Sequence, residues 1–368
     1  MNKLNEQVIK LTHALEVLRK KESAIYFLTM DTKGHAKASV TLTYDIVKEL
    51  RSLGYNANIM HEKKDFHDVT TWLGEDYSGI PHVSIEAKTV QVHMSDIVII
   101  PEVFGHVLDQ TKEMPCEKMI FSQSYDYVLE TLPPGMTWPV YGAHRAITTS
   151  PAQQKYLEGL MTTVKFEQIT PKVSEKFTKS DKPQPPLIAV HTREGRDTMK
   201  LIKSFYLKYP QFKWITFRDL RGLSLDRFAE DLSESFVSVW IDDISGFGTF
   251  PLESMKCGVP VIGKVPNLKP DWLTEDNGIW TFDTNGIVDI LGQFVQKWLE
   301  DEIPEDLYSS MEKTIQENYT VDKFKESVNS VFGTIYDRKI KELEQQLEKF
   351  TSVGEVKDDK PELIKMEK

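Results

Sequence analysis

Apolar residues follow two rhythms along this chain: short continuous runs of strand character, and longer stretches with an apolar position every three or four residues. The first long stretch, residues 6–20, brings Val8, Ile9, Leu11, Leu15 and Leu18 close to one face of a helix. Residues 24–30 (AIYFLTM) have the pattern of a buried strand, and a loop with one glycine, Gly34, follows. Ser39 is placed to cap a helix over 40–53, Gly54 to end it, and 55–61 to form the next strand. Strand, loop, helix and strand in that order begin a doubly wound parallel sheet. Residues 63–88 keep no period, and His67 and His82 within them lack the spacing of a metal site. Residues 96–101 (DIVIIP) read as a strand buried on both faces, with Glu102 just past its end, where such sheets bind ligands. Short strands follow at 118–121 and 146–149, then Ser150-Pro151 as cap and first position of a helix, and a last strand at 165–169.

Residues 178–186 (TKSDKPQPP) are polar and proline-rich, and mark a boundary between domains spanning 1–178 and 187–335. The second half restarts with a strand at 187–191, a loop at 192–196 and a helix at 198–208 that Asp197 is placed to cap. A strand at 212–217 and a short helix containing 228–232 come next. Residues 236–264 organise this half. An apolar run, 236–241, leads to Asp242-Asp243 and a glycine-spaced loop, Ser245-Gly246-Phe247-Gly248-Thr249. Pro251 suits the first position of a helix over 252–256, Gly258 its C-terminal cap, and 259–262 the next strand. A strand, a glycine loop and a helix N-terminus present backbone N–H groups and a positive dipole end to an anion. Glu253, in the first helical turn, is within reach of the same ligand.

Downstream, 287–298 and 305–317 are amphipathic. Residues 321–350 form one long helical pattern with Phe324, Val328, Val331, Ile335, Leu343 and Leu347 on a stripe. The end of this helix is 336–350, and within it 339–350 (KIKELEQQLEKF) has coiled-coil-like spacing, which leaves a homodimer open. Residues 351–368 are charged and aperiodic, the composition of a disordered tail.

The chain has 368 residues, enough for two cores, and its net charge of −11 argues against nucleic acid or an anionic membrane as a general partner. No apolar run approaches the roughly 18 residues of a membrane span, so a cytoplasmic location is expected, with any membrane contact peripheral. Two cysteines, Cys116 and Cys257, sit in apolar surroundings and read as reduced core thiols.

Residues 245–261, SGFGTFPLESMKCGVPV, resemble the signature of retaining glycosyltransferases of the GT-B fold, in particular family 4. That pattern is roughly Glu-Gly-Phe-Gly-x-x-x-Leu-Glu-(Ala/Ser)-Met-x-x-Gly-x-Pro-Val, and the departure here is Ser245 in place of the first glutamate. The resemblance implies an α/β architecture of two Rossmann-like doubly wound domains facing each other across a cleft, with a late helix crossing back onto the first domain. It implies transfer of a sugar, a hexose or deoxyhexose, from a nucleotide-diphosphate donor with retention of configuration. Neither a cofactor nor a metal is needed on this reading, and the acceptor is left open among glycan, lipid-linked, protein or other. The N-terminal domain would take the acceptor and the C-terminal domain the donor.

The same resemblance assigns roles. Arg193 matches the family's diphosphate-binding arginine, and the second cation is either Arg196 or Lys200. Backbone amides of Gly246, Phe247, Gly248, Thr249 and Phe250 would hold sugar or phosphate, and Glu253 the ribose hydroxyls. Ser245 stands where the family's first glutamate meets the donor hexose. Gly34 lies in the loop that lines the cleft. Gln123 takes the place of a histidine near the donor sugar and could bond a hydroxyl, while Asp126 could accept a proton or simply cap a turn. Asp242 and Asp243 are adjacent, so at a strand end they point apart and chelate poorly. Two other readings stay open: a catalytically idle GT-B protein that binds a nucleotide sugar or scaffolds a complex, and another GT-B enzyme such as a sugar epimerase.

Overall fold

A computed structural model describes residues 2–355 except Ala36, Thr89 and Pro183. Two parallel sheets carry the chain. In the first, β1 (Ala24–Leu28), β2 (Asn56–His61), β3 (His82–Ser84), β4 (Ile97–Pro101), β5 (Glu117–Ser122), β6 (Arg145–Thr148) and β7 (Lys165–Gln168) lie in the order 3-2-1-4-5-6-7. In the second, β8 (Leu187–Thr192), β9 (Thr216–Asp219), β10 (Val237–Ile241), β11 (Val261–Lys264) and β12 (Ile279–Thr281) lie in the order 12-11-10-8-9. Every residue of β4 and of β10 is buried, as apolar runs covered on both faces require.

The order reverses once in each sheet. Chain direction along the sheet changes between β1 and β4 in the first, and between β8 and β10 in the second. The loops leaving the strands diverge there and open a crevice at their carboxyl ends. The first crevice is bounded by the loop from β1 to α2 (Ala38–Ser52) and by Glu102 after β4. The second is bounded by the loop from β8 to α6 (Gly195–Lys208) and by the glycine loop from β10 to α8 (Thr249–Lys256).

The last helix, α11 (Val321–Glu355), runs 35 residues from the second sheet back to the first. Phe324, Val328, Val331, Ile335 and Leu343 are buried, as its stripe predicts. Phe332 packs on Phe27 of β1 at 6.1 Å between ring centres, and the Tyr336 hydroxyl lies 2.9 Å from that of Ser23. At its start α11 follows α10 (Glu305–Asn318), and its body lies along α1 (Asn2–Arg19). Residues 351–355 continue α11 where the sequence suggested disorder, and 356–368 lie outside the described residues.

Four local expectations are corrected. Ser39 is not a cap: α2 starts at Ala38 after an extended Lys37, because the Ser39 carbonyl is held at 3.0 Å by the side-chain amide of Gln123, just after β5. Asp197 is not a cap either: α6 starts at Gly195, where the Thr192 hydroxyl donates to the Glu194 carbonyl and meets the Thr198 hydroxyl at 2.6 Å. Phe212 belongs to a 3-10 turn, and β9 starts only at Thr216, since buried Phe212 and Ile215 give a turn the look of a strand. Pro251 is the third residue of α8, after Gly248 as N-cap. It is tolerated there because first-turn amides have no helical partner. The sequence pattern also missed β3, whose three residues lie in the aperiodic stretch.

Candidate functional site

Gly248 leaves β10's loop with φ +76, and a Cβ there would stand 3.0 Å from Trp240. Only glycine fits both demands. The turn that results aims the start of α8 at the interdomain crevice. Gly258 (φ +69) closes the helix, its amide bonded to the Met255 carbonyl and that of Val259 to Ser254.

The glycine loop is pressed against the first domain. The Ser124 hydroxyl donates to the Ile244 carbonyl (2.9 Å), and that of Ser150 to the Gly246 carbonyl (3.1 Å). A Cβ on Gly246 would lie 2.9 Å from the Gln123 carbonyl and 3.2 Å from Gln153 Oε1. Sequence reasoning gave Gly246 an amide role; the structure adds a packing role, since no larger residue allows this approach.

Glu102 holds the opposite wall. Its buried carboxylate accepts from the amides of Gln123 (3.0 Å) and Ser124 (2.7 Å), so it fixes the very loop that touches Ile244 and Gly246. Burial pushes its carboxyl up to about 7, against those two bonds. The sequence marked its position but not this task.

On the second domain, Arg193 lies at the end of β8. It donates to Asp242 across 3.4 Å, donates to the Tyr127 hydroxyl of the first domain, and covers the Tyr127 ring at 5.3 Å. Tyr127 thus joins the two domains through this guanidinium. Burial raises the Asp242 carboxyl, and Arg193 opposes the rise. Asp243 pairs with Lys264. The two aspartates therefore serve two different cations.

Arg196 and Lys200 are the second and sixth residues of α6, both exposed, with no ion pair among the described residues. Arg196 is one helical turn, roughly 6 Å, closer to the crevice. Arg221, which the sequence reading passed over, lies against the start of the same helix: a Cβ on Gly195 would meet its guanidinium at 2.6 Å. Asp219 holds it through a two-pronged bond, with Nε at 2.9 Å.

Glu253 is half-buried on α8, and its carboxylate has no hydrogen-bond or ion-pair partner among the described residues. Burial alone pushes it up to about 8. An uncompensated carboxylate at a crevice awaits a donor. One turn earlier, the Phe250 ring stacks on His191 at 4.9 Å. The imidazole is depressed to about 4 by burial, and its Nδ1 has no partner.

The remaining sequence candidates divide. The Phe247 ring packs edge-on against Tyr319 (5.5 Å), and its carbonyl accepts from the Trp272 indole. The Ser245 hydroxyl has no partner among the described residues, and Thr249 is the first residue of α8. Gly34 has φ +82 and open space at its Cβ position, so conformation, not crowding, requires glycine there. The Gln123 side chain is already engaged with Ser39, and it is the Gln123 carbonyl that faces Gly246. Asp126 is in the first turn of α4 (Tyr125–Thr131), half-buried, with no partner for its carboxylate among the described residues.

No family model matches the chain. An α-1,6-glucosyltransferase of Actinobacillus pleuropneumoniae serotype 7 (strain AP76) is 22% identical over 308 residues, covering 80% of this chain and 90% of that protein. HepE of Anabaena, solved in complex with UDP-glucose, superposes with a TM-score of 0.62 at 12% identity over 84% of this chain and 99% of its own. Sucrose-phosphate synthase from Thermosynechococcus elongatus gives 0.61 at 12% identity over 86% and 100%. The pneumococcal O-GlcNAc transferase GtfA, in complex with UDP and GlcNAc, gives 0.59 at 10% over 87% and 99%. Two facing parallel sheets, a crevice at their carboxyl ends and a final helix that returns to the first sheet give this chain the GT-B fold of glycosyltransferases.

Proposed function

We propose that this chain is a retaining glycosyltransferase of the family 4 type, moving a hexose or deoxyhexose from a nucleotide-diphosphate sugar to an acceptor hydroxyl without a metal. The observation that carries it is Glu253. An unpartnered carboxylate stands one turn inside a helix whose N-terminus, glycine loop and neighbouring arginine all face one crevice. Ribose hydroxyls would donate to Glu253, and stacked His191 and Phe250 would border the nucleoside side. The diphosphate would lie over the first amides of α8, where the helix dipole favours negative charge.

The hard step is cleavage of the sugar–phosphate bond. Arg193 would leave Asp242 for the diphosphate and stabilise charge as it develops on the leaving oxygen. Arg196, nearer the crevice than Lys200, is the second cation on this reading. Metal independence is consistent with Asp242 and Asp243 being taken up by Arg193 and Lys264. The sugar would sit between Ser245 and Gln123. A serine there offers one hydroxyl where a carboxylate would accept two bonds, which favours a donor with fewer hydroxyls to satisfy.

HepE binds UDP-glucose, and the Actinobacillus relative is a glucosyltransferase, so UDP-glucose is the first donor to test. The full chain is incubated with UDP-glucose and other nucleotide sugars, with and without chelator, and nucleoside diphosphate release is measured. Release that survives chelation, with an α-configured product from an α-configured donor by NMR, supports the proposal. Tight binding with no release from any donor favours the idle-protein reading.

A further inference from the structure

A cavity of about 550 Å³ reaches the glycine loop at Phe247, and Glu253 is not among the residues that line it. It is bounded by the junction of β6 with α5 (Pro151–Leu160), the chain leaving β7, the Asp271-Trp272 loop and the corner between α10 and α11. Its volume is that of a small-molecule site, of the order of 300–1,000 Å³. Both crossings between the domains pass along it, at Thr170 and at Asn318–Lys323.

Its wall is rich in unused polar groups. The side chains of Gln168, Thr170, Asn318, Tyr319, Lys323 and Ser330 have no hydrogen-bond or ion-pair partner among the described residues. An apolar ligand would leave these groups unsatisfied. A phosphorylated ligand would face two carboxylates, Asp271 and Glu326, against one ammonium, Lys323. A neutral polyhydroxylated ligand suits the site: each hydroxyl both donates and accepts, and Pro151, Phe247 and Trp272 provide an apolar floor for sugar C–H faces.

We propose that this cavity is a second carbohydrate-binding site, separate from the donor crevice, that takes a short neutral oligosaccharide. Its source, the glycan of the acceptor, rests on the transferase reading; the site itself does not. The floor is continuous with the donor loop, because Phe247 accepts from Trp272 and Ser150 donates to Gly246. An occupant also touches both interdomain crossings, so it steadies this arrangement of the two domains and is steadied by the donor in return.

The test uses the full chain saturated with UDP, so that the donor crevice is filled. Isomaltotriose, maltotriose and glucose are offered in turn, and binding is read by saturation-transfer NMR. Ser330 is exposed on α11, so Ser330→Trp fills the cavity mouth without entering the core. Tyr319→Phe removes one hydroxyl. Trisaccharide binding that Ser330→Trp abolishes and Tyr319→Phe weakens by about 2- to 10-fold, with UDP affinity unchanged, supports the site. No trisaccharide binding, binding indifferent to both substitutions, or glucose binding as tightly as the trisaccharides overturns it. UDP-glucose turnover is assayed separately: its absence alongside intact trisaccharide binding sinks the transferase reading and leaves this site in place.

Discussion

Glu253→Gln should make the empty protein more stable and the donor site useless. In the native chain burial lifts this carboxyl from 4.5 to about 8. A raised carboxyl binds its proton more tightly in the folded state, so its contribution is fully present below 4.5 and is lost as pH rises toward 8. At about 1.4 kcal/mol per pKa unit, the loss reaches about 3 kcal/mol near neutrality. The side chain keeps a solvent-facing edge, which screens part of this and leaves about 2 kcal/mol. Glutamine carries no charge and escapes the loss. Thermal unfolding of the two proteins should coincide near pH 5 and separate by roughly 5 °C near pH 8, with the variant higher.

Donor binding runs the other way. Ribose hydroxyls donating to Glu253 favour the ionised form, so UDP uptake near pH 7 expels a proton and tightens as pH rises toward 8. Losing hydrogen bonds to a charged group costs about 1.5–3 kcal/mol, or roughly 10- to 150-fold in affinity. Isothermal titration with UDP at pH 6, 7 and 8, in buffers of different ionisation enthalpy, measures both affinity and proton release. A variant that binds UDP as the parent does, with the same proton release, refutes the ribose assignment. Melting curves that keep a constant offset across pH refute the desolvated carboxyl.

Three further substitutions probe the crevice. Arg193→Ala should lower turnover on the order of 100-fold while UDP affinity falls much less, because the guanidinium meets charge that develops on the leaving group; an unchanged kcat with a raised KM would count against that role. Gly246→Ala places a methyl 2.9 Å from the Gln123 carbonyl and should cost about 1–3 kcal/mol at the domain contact. Activity should fall while circular dichroism stays native, and full activity would show that this contact is not needed for catalysis. Glu102→Gln removes a carboxyl that burial raises to about 7. Its contribution is present below 4.5 and fades as pH rises through 7, so urea midpoints of the parent should fall more steeply between pH 5 and 8 than those of the variant.

What the sequence made legible is what local chemistry controls. Apolar runs such as IVIIP and VSVWI can only be doubly covered strands, and they predicted β4 and β10 to within a residue or so. Gly54 and Gly258 end their helices with φ +84 and +69, as the position after a helix demands. The Ser150-Pro151 start held because the cap, an amide bond from Gln153 at 3.2 Å, is made within four residues. Where a neighbour from elsewhere in the chain supplies the partner, local rules misplace the boundary. Ser39 and Asp197 are both sound cap residues in composition, but Gln123 fixes one helix start, and a threonine pair bracketing the turn fixes the other.

The candidate site divides along the same line. The strand, loop and helix that carry Glu253 and the glycine loop were legible because they are consecutive, although Glu253 lies one turn inside α8 and not in its first turn. The opposing wall was not. Glu102 and Ser124 are 22 positions apart, and Ser124 and Ile244 are 120 apart, yet together they join buried carboxylate, loop and glycine turn in one chain of hydrogen bonds. Tyr127 and Arg193, 66 positions apart, form a second contact between the two sheets' domains. Each of these side chains is unremarkable in its own window, because the property that matters is a meeting between two separately folded sheets. A residue that serves such a meeting should tolerate substitution badly in the assembled chain while costing its own domain little. That difference is measurable in the full chain: Ser124→Ala removes one hydroxyl bond to the Ile244 carbonyl, worth about 1 kcal/mol, and should lower donor affinity while hydrogen exchange of the β4 and β5 amides stays as in the parent. Faster exchange throughout β4 and β5 would place Ser124 in the first domain's own core rather than at the contact.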